Sequence, residues 1–271
     1  MIRLIRIEYM KLKNTKYFWV FTIMFSIFLL SVPLFSRSFL DYMTETQNAN
    51  LYGIGLNDIP LFDFLDIWQN LTYALKWPAI LLAFIPVISM ANEFRYGTVK
   101  QNVIDGLSRT ELIGSKILFA VLLSIIMGVV VLLIGLYMGY RYSQVTDFYY
   151  VVKHLEFIPA FILVLFSYQM FCLLVTLLVK RSGITILLLL FYFFSLEAIS
   201  YGVIAWDYKK PFLTNFLPLR GAGNIISVPF GKYVLQQVTT TVTLTNLMFT
   251  LGHASLYAGL SIWLFKRRDV R

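Results

Sequence analysis

Long apolar runs alternate with short polar segments along this chain of 271 residues. Six of the runs approach the roughly 20 residues that an α-helix needs to cross a bilayer. The six runs cover about 17–36, 71–91, 117–140, 157–179, 184–204 and 246–265. The pattern therefore predicts an all-α integral membrane protein with six transmembrane helices in a single domain, 1–271.

The polar segment between the second and third runs contains two patterns that start helices. Thr98 and Gln101 have the spacing of a capping box, in which a hydroxyl accepts a bond from a backbone N–H and the second side chain reaches back. Ser108 and Glu111 repeat that spacing. Gly106, between the two boxes, suits the left-handed conformation that ends many helices. The segment thus predicts two helices separated by a glycine turn.

Within this segment, 92–116, the short helix is predicted over Val99–Asp105, and the second helix begins near Arg109 and continues into the third run. Val99 and Val103 give the short helix one apolar face, with polar residues largely elsewhere. So short a helix is marginal on its own. Two interpretations follow from the residues alone: a solvated hairpin with no partner, or a helix that another protein covers.

Composition places the chain outside the soluble class. It is 59% hydrophobic and 14% charged, with a mean hydropathy of +0.74, whereas soluble proteins are about 45–50% apolar and about 25% charged. The net charge of +9 does not call for a nucleic-acid partner, because basic residues at the ends of spans follow from the positive-inside bias. Membrane lipid is the expected surrounding instead.

Basic residues also predict which connections face the cytoplasm. The N-terminal segment, the second and fourth connections and the C-terminal tail are rich in lysine and arginine, whereas the first connection is mostly acidic. Both termini are therefore predicted to be cytoplasmic. The fifth connection is the exception to this alternation, with the basic residues Lys209, Lys210, Arg220 and Lys232.

Three other segments carry more specific predictions. The basic, partly apolar leader before the first span suits an interfacial helix, with an ordinary basic flank as the alternative. Residues 58–71 fit a short amphipathic helix on the outer surface. In the fifth connection, proline and glycine interrupt the apolar residues, which fits re-entrant helices that dip into the membrane before the last span. A plain outer loop is the alternative there.

The sequence contains neither an ATPase motif nor a metal motif. No G-x-x-x-x-G-K-[ST] stretch occurs, and His154 and His253 are too far apart for an H-E-x-x-H zinc site. The chain is therefore predicted not to be an enzyme and to bind no metal or cofactor itself. Glu197 is the notable ionisable residue inside a span, and two roles stay open: pairing with an outer lysine, or lining an outer vestibule of a translocation path. Lys76 is expected to snorkel to the outer surface.

Several of these residues resemble type-2 ABC transporter permeases. The run Glu93-Phe94-Arg95-Tyr96-Gly97-Thr98, followed by Ser108-Arg109-Thr110-Glu111-Leu112 and Lys116, is similar to that family's segment after the second span. The Leu217-Pro218 pair and the tail Phe265-Lys266-Arg267-Arg268-Asp269-Val270 are similar to family features around the last span. The resemblance extends over essentially the whole chain.

The resemblance implies a subunit that assembles with a second permease chain, of the same or a different kind, and with two copies of an ABC ATP-binding subunit. ATP and Mg²⁺ would bind to that partner. The leader would be an elbow helix, and Thr98–Asp105 would be a cytoplasmic coupling helix that docks in a cleft of the ATPase. The predicted coupling residues are Glu93, Arg95, Gly97 and Thr98 from the motif, and Lys100, Gln101, Asp105 and Arg109 from expected exposure.

The leading hypothesis is thus the permease subunit of an ATP-driven ABC transporter, an exporter by resemblance, in a bacterial-type inner membrane. Lipid-like, peptide or other amphiphilic cargo fits this role. The alternative is a non-transporting scaffold that transmits ATPase-driven force to another membrane or envelope complex. ATP-dependent movement of cargo in vesicles that contain the purified complex separates the two. An intramembrane enzyme, the third class, lacks a catalytic constellation in this sequence.

Overall fold

The computed structural model describes residues 2–47, 50–51, 54–55, 61–229 and 241–267. Within these ranges the backbone is helical apart from connecting turns and one pair of two-residue strands. The prediction of an all-α membrane protein is confirmed. At membrane depth no water is present to bond backbone N–H and C=O groups, and a helix satisfies these groups within one segment.

The elements follow one another as short and long helices. The first half contains α1 (Ile2–Lys13), α2 (Lys16–Gln47), β1 (Asn50–Leu51), β2 (Ile54–Gly55), α3 (Ile67–Leu75), α4 (Ile80–Arg95), α5 (Thr98–Ile104) and α6 (Arg109–Tyr142). The second half contains α7 (Phe148–Val152), α8 (Phe157–Val179), α9 (Ser182–Phe191), a π-helix (Tyr192–Leu196), α10 (Glu197–Gly202), a second π-helix (Val203–Asp207), a 3-10 helix (Pro211–Phe216), α11 (Arg220–Gly223) and α12 (Leu244–Arg267). The two strands pair antiparallel, with Asn50 opposite Gly55 and Leu51 opposite Ile54.

Four helical stretches are long and apolar enough to cross a membrane, namely Arg109–Tyr142, Phe148–Val179, Ser182–Ala205 and Leu244–Arg267. Two further helix pairs pass the same test only together, because each is bent at a short break. α1 meets the first part of α2 at 90°, and α3 meets α4 at 42°. Counting each pair as one span gives six among the described residues, as many as the apolar runs predict. The right angle at α1 is the geometry that an interfacial leader helix requires.

The second span is broken, which its apolar run did not predict. Pro78 has no backbone N–H, and the helix breaks around it, between α3 and α4. Ile67 and Trp68 at the start of α3 are fully buried. The prediction of an amphipathic surface helix over 58–71 is therefore wrong where it overlaps α3, because these residues form the first half of the span. Residues 58–60 lie outside the described part of the chain.

Glycines on α6 allow the aromatic side chains around α3 to pack closely. A Cβ atom added to Gly135 would lie 2.5 Å from the Trp68 ring, and one added to Gly139 would lie 2.4 Å from the Phe64 ring. Only a residue without a side chain leaves room for these rings. The Trp68 indole N–H donates to the Val151 carbonyl at 2.9 Å, so the second span is tied to α7 as well as to α6.

The fifth span and the connection after it are irregular. Two π-helical segments interrupt the span, one on each side of α10. The 3-10 helix and α11 then fold back so that Leu219, Ala222 and Ile226 are buried, and α11 contacts both α8 and α12. Non-helical backbone at membrane depth requires such packing against protein. The fold-back therefore favours re-entrant helices over a plain outer loop.

Hydrogen bonds and ring contacts sort the connections to two ends of the bundle. At one end, α1 packs on α6, Arg109 Nη1 donates to the Lys266 carbonyl at 3.1 Å, and Lys180 Nζ lies 5.8 Å from the centre of the Phe94 ring. We name this the basic end. At the other end, the Phe64 N–H donates to Ser143 Oγ at 3.3 Å; we name this the opposite end.

Candidate functional site

The short helix α5 stands at the basic end between two glycines with left-handed backbone. Gly97 has φ +66° and Gly106 has φ +96°, a region that residues with a side chain rarely adopt. The glycine turn predicted at Gly106 is therefore present. Gly97 is the N-cap of α5, so the helix begins at Thr98 and the predicted capping box of Thr98 and Gln101 is absent. Gln101 Nε2 instead donates to Asp105 Oδ1 at 2.9 Å.

The second predicted capping box is present and starts α6. Ser108 Oγ accepts a bond from the Glu111 N–H at 3.1 Å, and Glu111 Oε2 accepts one from the Ser108 N–H at 2.8 Å. Two N–H groups that a helix start leaves unpaired are thereby satisfied. α6 continues unbroken to Tyr142. The helix that begins directly after α5 is therefore also the third span.

One face of α5 is anchored in the bundle, and the other is open. Val99 is 4% exposed and belongs to a buried cluster that includes Leu112 and Phe265. On the open side, Tyr96 and Ile104 are 68% and 69% exposed. The polar residues Lys100, Gln101 and Asp105 are also exposed. We name Tyr96, Lys100, Gln101, Ile104 and Asp105 the α5 surface.

Glu93 does not belong to this surface. It is 6% exposed, and Lys116 and Glu8 are 2% and 1% exposed. Lys116 Nζ lies 2.8 Å from Glu93 Oε1 and 2.6 Å from Glu8 Oε1, and it also contacts Ser89 Oγ at 2.7 Å. Lys11 Nζ adds a contact to Glu93 Oε1 at 3.2 Å. We name these five residues the buried ion network.

The buried ion network joins three helices just above α5. Glu8 lies on α1, Ser89 and Glu93 lie on α4, and Lys116 lies on α6. Sequence reasoning identified Glu93 from its motif and placed it among the coupling residues, and it did not identify Glu8. A signal was present: Glu8 is the one acidic residue among the basic residues of the leader.

The remaining predicted residues lie around α5 in different environments. Arg95, Gly97 and Thr98 are exposed, and the Arg95 guanidinium lies 5.5 Å from the centre of the Tyr96 ring. Arg109 is half-buried and holds the end of α12 through the Lys266 carbonyl. The structure therefore brings these residues to one end, and Arg109 acts there as an internal tie. Arg268 and the rest of the tail lie outside the described residues.

Glu197 and Lys76 lie towards the opposite end, and the structure shows the partners of both. The vestibule role considered for Glu197 stays a prediction. Glu197 is fully buried, and its Oε1 accepts bonds from the backbone N–H groups of Leu219 at 2.7 Å and Arg220 at 3.0 Å. It thus holds the fold-back segment and pairs with no lysine in the described part. Lys76 does not snorkel, because it is 8% exposed and bonds the Gly223 carbonyl at 3.1 Å.

A search of the described residues finds no group of three or more His, Cys, Asp or Glu residues that could hold a metal ion. Comparison with known proteins gives one finding. A family model described as ABC-2 family transporter protein matches residues 4–196, which is more than half of the chain and includes α5, the buried ion network and the first four spans. No curated protein matches the chain.

Proposed function

The chain belongs to the ABC-2 family of transporter proteins, and from that premise we propose that it is the permease subunit of an exporter driven through α5 by a separate ATP-binding subunit. A multi-pass membrane component of an ABC transporter follows from the family and the apolar helices. Export, coupling through α5 and the partners are the parts that we add. The single observation that supports them best is the α5 surface.

The α5 surface combines exposure with a firm attachment. Tyr96 and Ile104 are large apolar side chains open to solvent at the basic end, where a soluble partner can bury them. Val99 anchors the same helix in the buried cluster, and the capping box at Ser108 starts α6 within a few residues of it. A push on α5 therefore reaches the third span through rigid contacts, because a packed core transmits displacement.

The proposed complex contains two copies of the ATP-binding subunit, which bind ATP and Mg²⁺, and a second permease chain. The whole chain, 1–271, serves as one permease domain. Positive-inside bias supports placing the basic end, with both termini, in the cytoplasm of a bacterial-type inner membrane. Glu93 enters this proposal as a support of α5 through the buried ion network, while Lys100, Gln101 and Asp105 contact the ATPase.

The test is retention of the ATPase by a tagged chain purified in mild detergent. The wild-type chain should bring down a protein with the G-x-x-x-x-G-K-[ST] motif that the chain itself lacks. The double variant Lys100→Glu with Ile104→Asp places charge on the α5 surface and should lower the retained ATPase by about tenfold or more, since interface centres carry most of the binding energy. The matched control, Lys153→Glu with Phe148→Asp, alters exposed residues of the opposite end.

Equal retention by the α5 double variant and the wild-type chain would exclude docking through α5. A second assay separates transport from scaffolding in vesicles that contain the purified complex. ATP-dependent movement of an amphiphilic cargo, lost in the α5 double variant and kept in the control, is the expected result. ATP turnover without movement of any cargo would favour a scaffold that passes force to another complex.

A further inference from the structure

A cavity of about 530 Å³ lies towards the opposite end of the bundle, away from the α5 surface. Three irregular features of the fold bound it: the bend between α3 and α4, the interrupted fifth span, and the fold-back segment with the 3-10 helix and α11. Lys76 and Trp77 line it from the bend, Tyr201 from α10, and Arg220 from α11. Breaks in three elements thus coincide at one site, and such breaks are common at functional sites.

Lys76 brings the first basic group to this cavity. Its side chain is 8% exposed, and its Nζ donates to the carbonyls of Gly223 at 3.1 Å and Ile226 at 3.0 Å. Nζ also lies 4.2 Å from the centre of the Tyr73 ring. An ammonium group has three N–H donors, so one donor remains after the two carbonyl bonds.

Arg220 brings the second basic group. Its guanidinium lies 5.1 Å from the ring centres of both Trp77 and Tyr201. The guanidinium Nε is buried without a hydrogen-bond partner. The Glu197 carboxylate interacts with the guanidinium electrostatically but forms its hydrogen bonds with backbone N–H groups. Aromatic faces attract a cation, but they do not replace acceptors for five N–H donors. A cation withdrawn from water in this way is costly unless an anion pairs with it.

The polar wall of the cavity does not supply that anion. Asn224 Nδ2 donates to Asn215 Oδ1 at 2.7 Å and to Thr214 Oγ1 at 3.2 Å, so these groups satisfy one another. No described lining residue is acidic. The nearby carboxylate of Glu197 binds the backbone N–H groups of Leu219 and Arg220 and does not line the cavity. The site therefore has two basic side chains, Lys76 and Arg220, against one nearby carboxylate among the described residues, that of Glu197.

The rim of the cavity is apolar. Trp77, Phe212 and Val228 line it and are 37%, 56% and 54% exposed. Cationic donors inside and exposed apolar side chains at the rim suit a ligand with an anionic group and an apolar tail. A small hydrophilic anion would gain nothing from such a rim.

We propose that this cavity binds the anionic headgroup of a phosphate-bearing amphiphile, with Arg220 and Lys76 donating to the headgroup and the tail leaving over Trp77 and Phe212. A phosphate oxygen accepts charge-assisted bonds from both cations at once, which are stronger than bonds between neutral groups. The proposed ligand enters the cavity from the membrane. It requires neither the ATP-binding subunit nor the α5 surface, so its test is independent of the proposed coupling.

The experiment measures lipid binding to the purified full chain in detergent by native mass spectrometry. Dioleoyl phosphatidylglycerol and dioleoyl phosphatidylcholine have the same tails and a phosphate, but only the first headgroup is a net anion. The wild-type chain should bind phosphatidylglycerol about tenfold more tightly, the order of size expected for one charged hydrogen bond. Arg220→Gln should abolish this preference, whereas Arg220→Lys, which keeps the charge, should retain part of it.

Arg141→Gln is the matched control, because Arg141 is exposed at the same end and lies outside the cavity lining; it should keep the full preference. An unchanged preference in Arg220→Gln would overturn the proposal. So would equal binding of the two lipids by the wild-type chain, a result that does not depend on the folding of any variant. Displacement of phosphatidylglycerol by an equal concentration of inorganic phosphate would also overturn it, since a tail would then contribute nothing.

Discussion

Lys116 places one positive charge between two buried carboxylates, those of Glu8 and Glu93, at 2.6 and 2.8 Å. Lys116→Met should leave both carboxylates buried around an apolar side chain. Removing one partner from a buried ion pair costs about 3–5 kcal/mol; Glu93 would keep Lys11 at 3.2 Å, whereas Glu8 would lose its cation. We expect a loss of about 3 kcal/mol or more in the free energy of unfolding, measured by denaturant or thermal unfolding of the purified chain.

The matched control for this prediction is Lys100→Met, the same change at an exposed position of the α5 surface. It should leave the unfolding of the isolated chain within about 0.5 kcal/mol of wild type, as surface substitutions usually do. If Lys116→Met proves as mild as its control, the network does not stabilise the basic end. Glu93→Gln separates the two roles considered for Glu93. If Glu93 supports the fold, the variant should be less stable than wild type even without the ATPase. If Glu93 only docks the ATPase, the stability of the isolated chain should not change.

Glu197 accepts two backbone N–H bonds from the fold-back segment at 2.7 and 3.0 Å. Glu197→Leu should remove both bonds while filling a similar volume, so the segment around Leu219 and Arg220 should loosen. Lost caps of this kind cost about 0.5–2 kcal/mol. Hydrogen–deuterium exchange should rise for residues 217–226 and stay unchanged in α6. Equal exchange of the segment in the variant and in wild type would mean that packing alone holds it.

At the residue scale, the sequence indicated which side chains matter better than it indicated which groups those side chains contact. Glu93 was recognised from its motif, but its partner Lys116 lies on α6, and Lys116 also holds Glu8 of α1. Glu197 was recognised as costly, and the backbone N–H groups of Leu219 and Arg220 bond its Oε1. A local sequence pattern does not show which backbone segment will pack against it. Long-range pairing is a property of the fold.

At the scale of elements, the starts of α5 and α6 show when the spacing of a capping box predicts a real capping box. Ser108 and Glu111 form their box because Ser108 has extended backbone, the usual conformation of an N-cap. Thr98 fails to form one because Gly97, with φ +66°, takes the N-cap position itself. The motif spacing is the same in both cases, so backbone conformation decides between them.

Paired alanine variants test this difference between the caps. Ser108→Ala should destabilise the start of α6 by about 1 kcal/mol, seen as faster amide exchange over residues 108–112. Thr98→Ala should have almost no such effect on α5, because the Thr98 hydroxyl makes only a 3.4 Å contact with the Glu93 carbonyl. Similar losses at the two positions would show that Thr98 caps its helix after all.

The apolar runs located each spanning helix but not the breaks within them. Hydropathy averages over about a turn or more of helix, whereas the second span bends at Pro78 and the fifth contains two π-helical segments. These breaks depend on single backbone groups and on what packs beside them. They are nevertheless what opens the cavity lined by Lys76 and Arg220, so the part of the fold that hydropathy does not register is the part that carries the proposed ligand site.

At the scale of the molecule, the distribution of basic residues in the sequence and the contacts in the structure assign the same connections to the basic end. The prediction grouped the leader, the second and fourth connections and the C-terminal tail by charge alone. In the structure Arg109 bonds the Lys266 carbonyl, and Lys180 lies over the Phe94 ring at the same end. The agreement has a physical reason: each spanning helix reverses the side of the chain. The basic fifth connection, which opposed the alternation by charge, contributes Arg220 to the cavity at the opposite end.

Cysteine labelling in intact cells tests the sidedness directly. The native Cys172 is buried and can be replaced by Ser to give a background without labelling. In that background, Arg181→Cys at the basic end should react with a membrane-impermeant maleimide only after the cells are opened, because the positive-inside bias predicts that the basic end faces the cytoplasm. Tyr149→Cys, exposed at the opposite end, should react in intact cells. Reaction of both cysteines from the same side would require an even number of spans between them, against the single span expected there. A reversed pattern would place the α5 surface out of reach of any cytoplasmic ATPase.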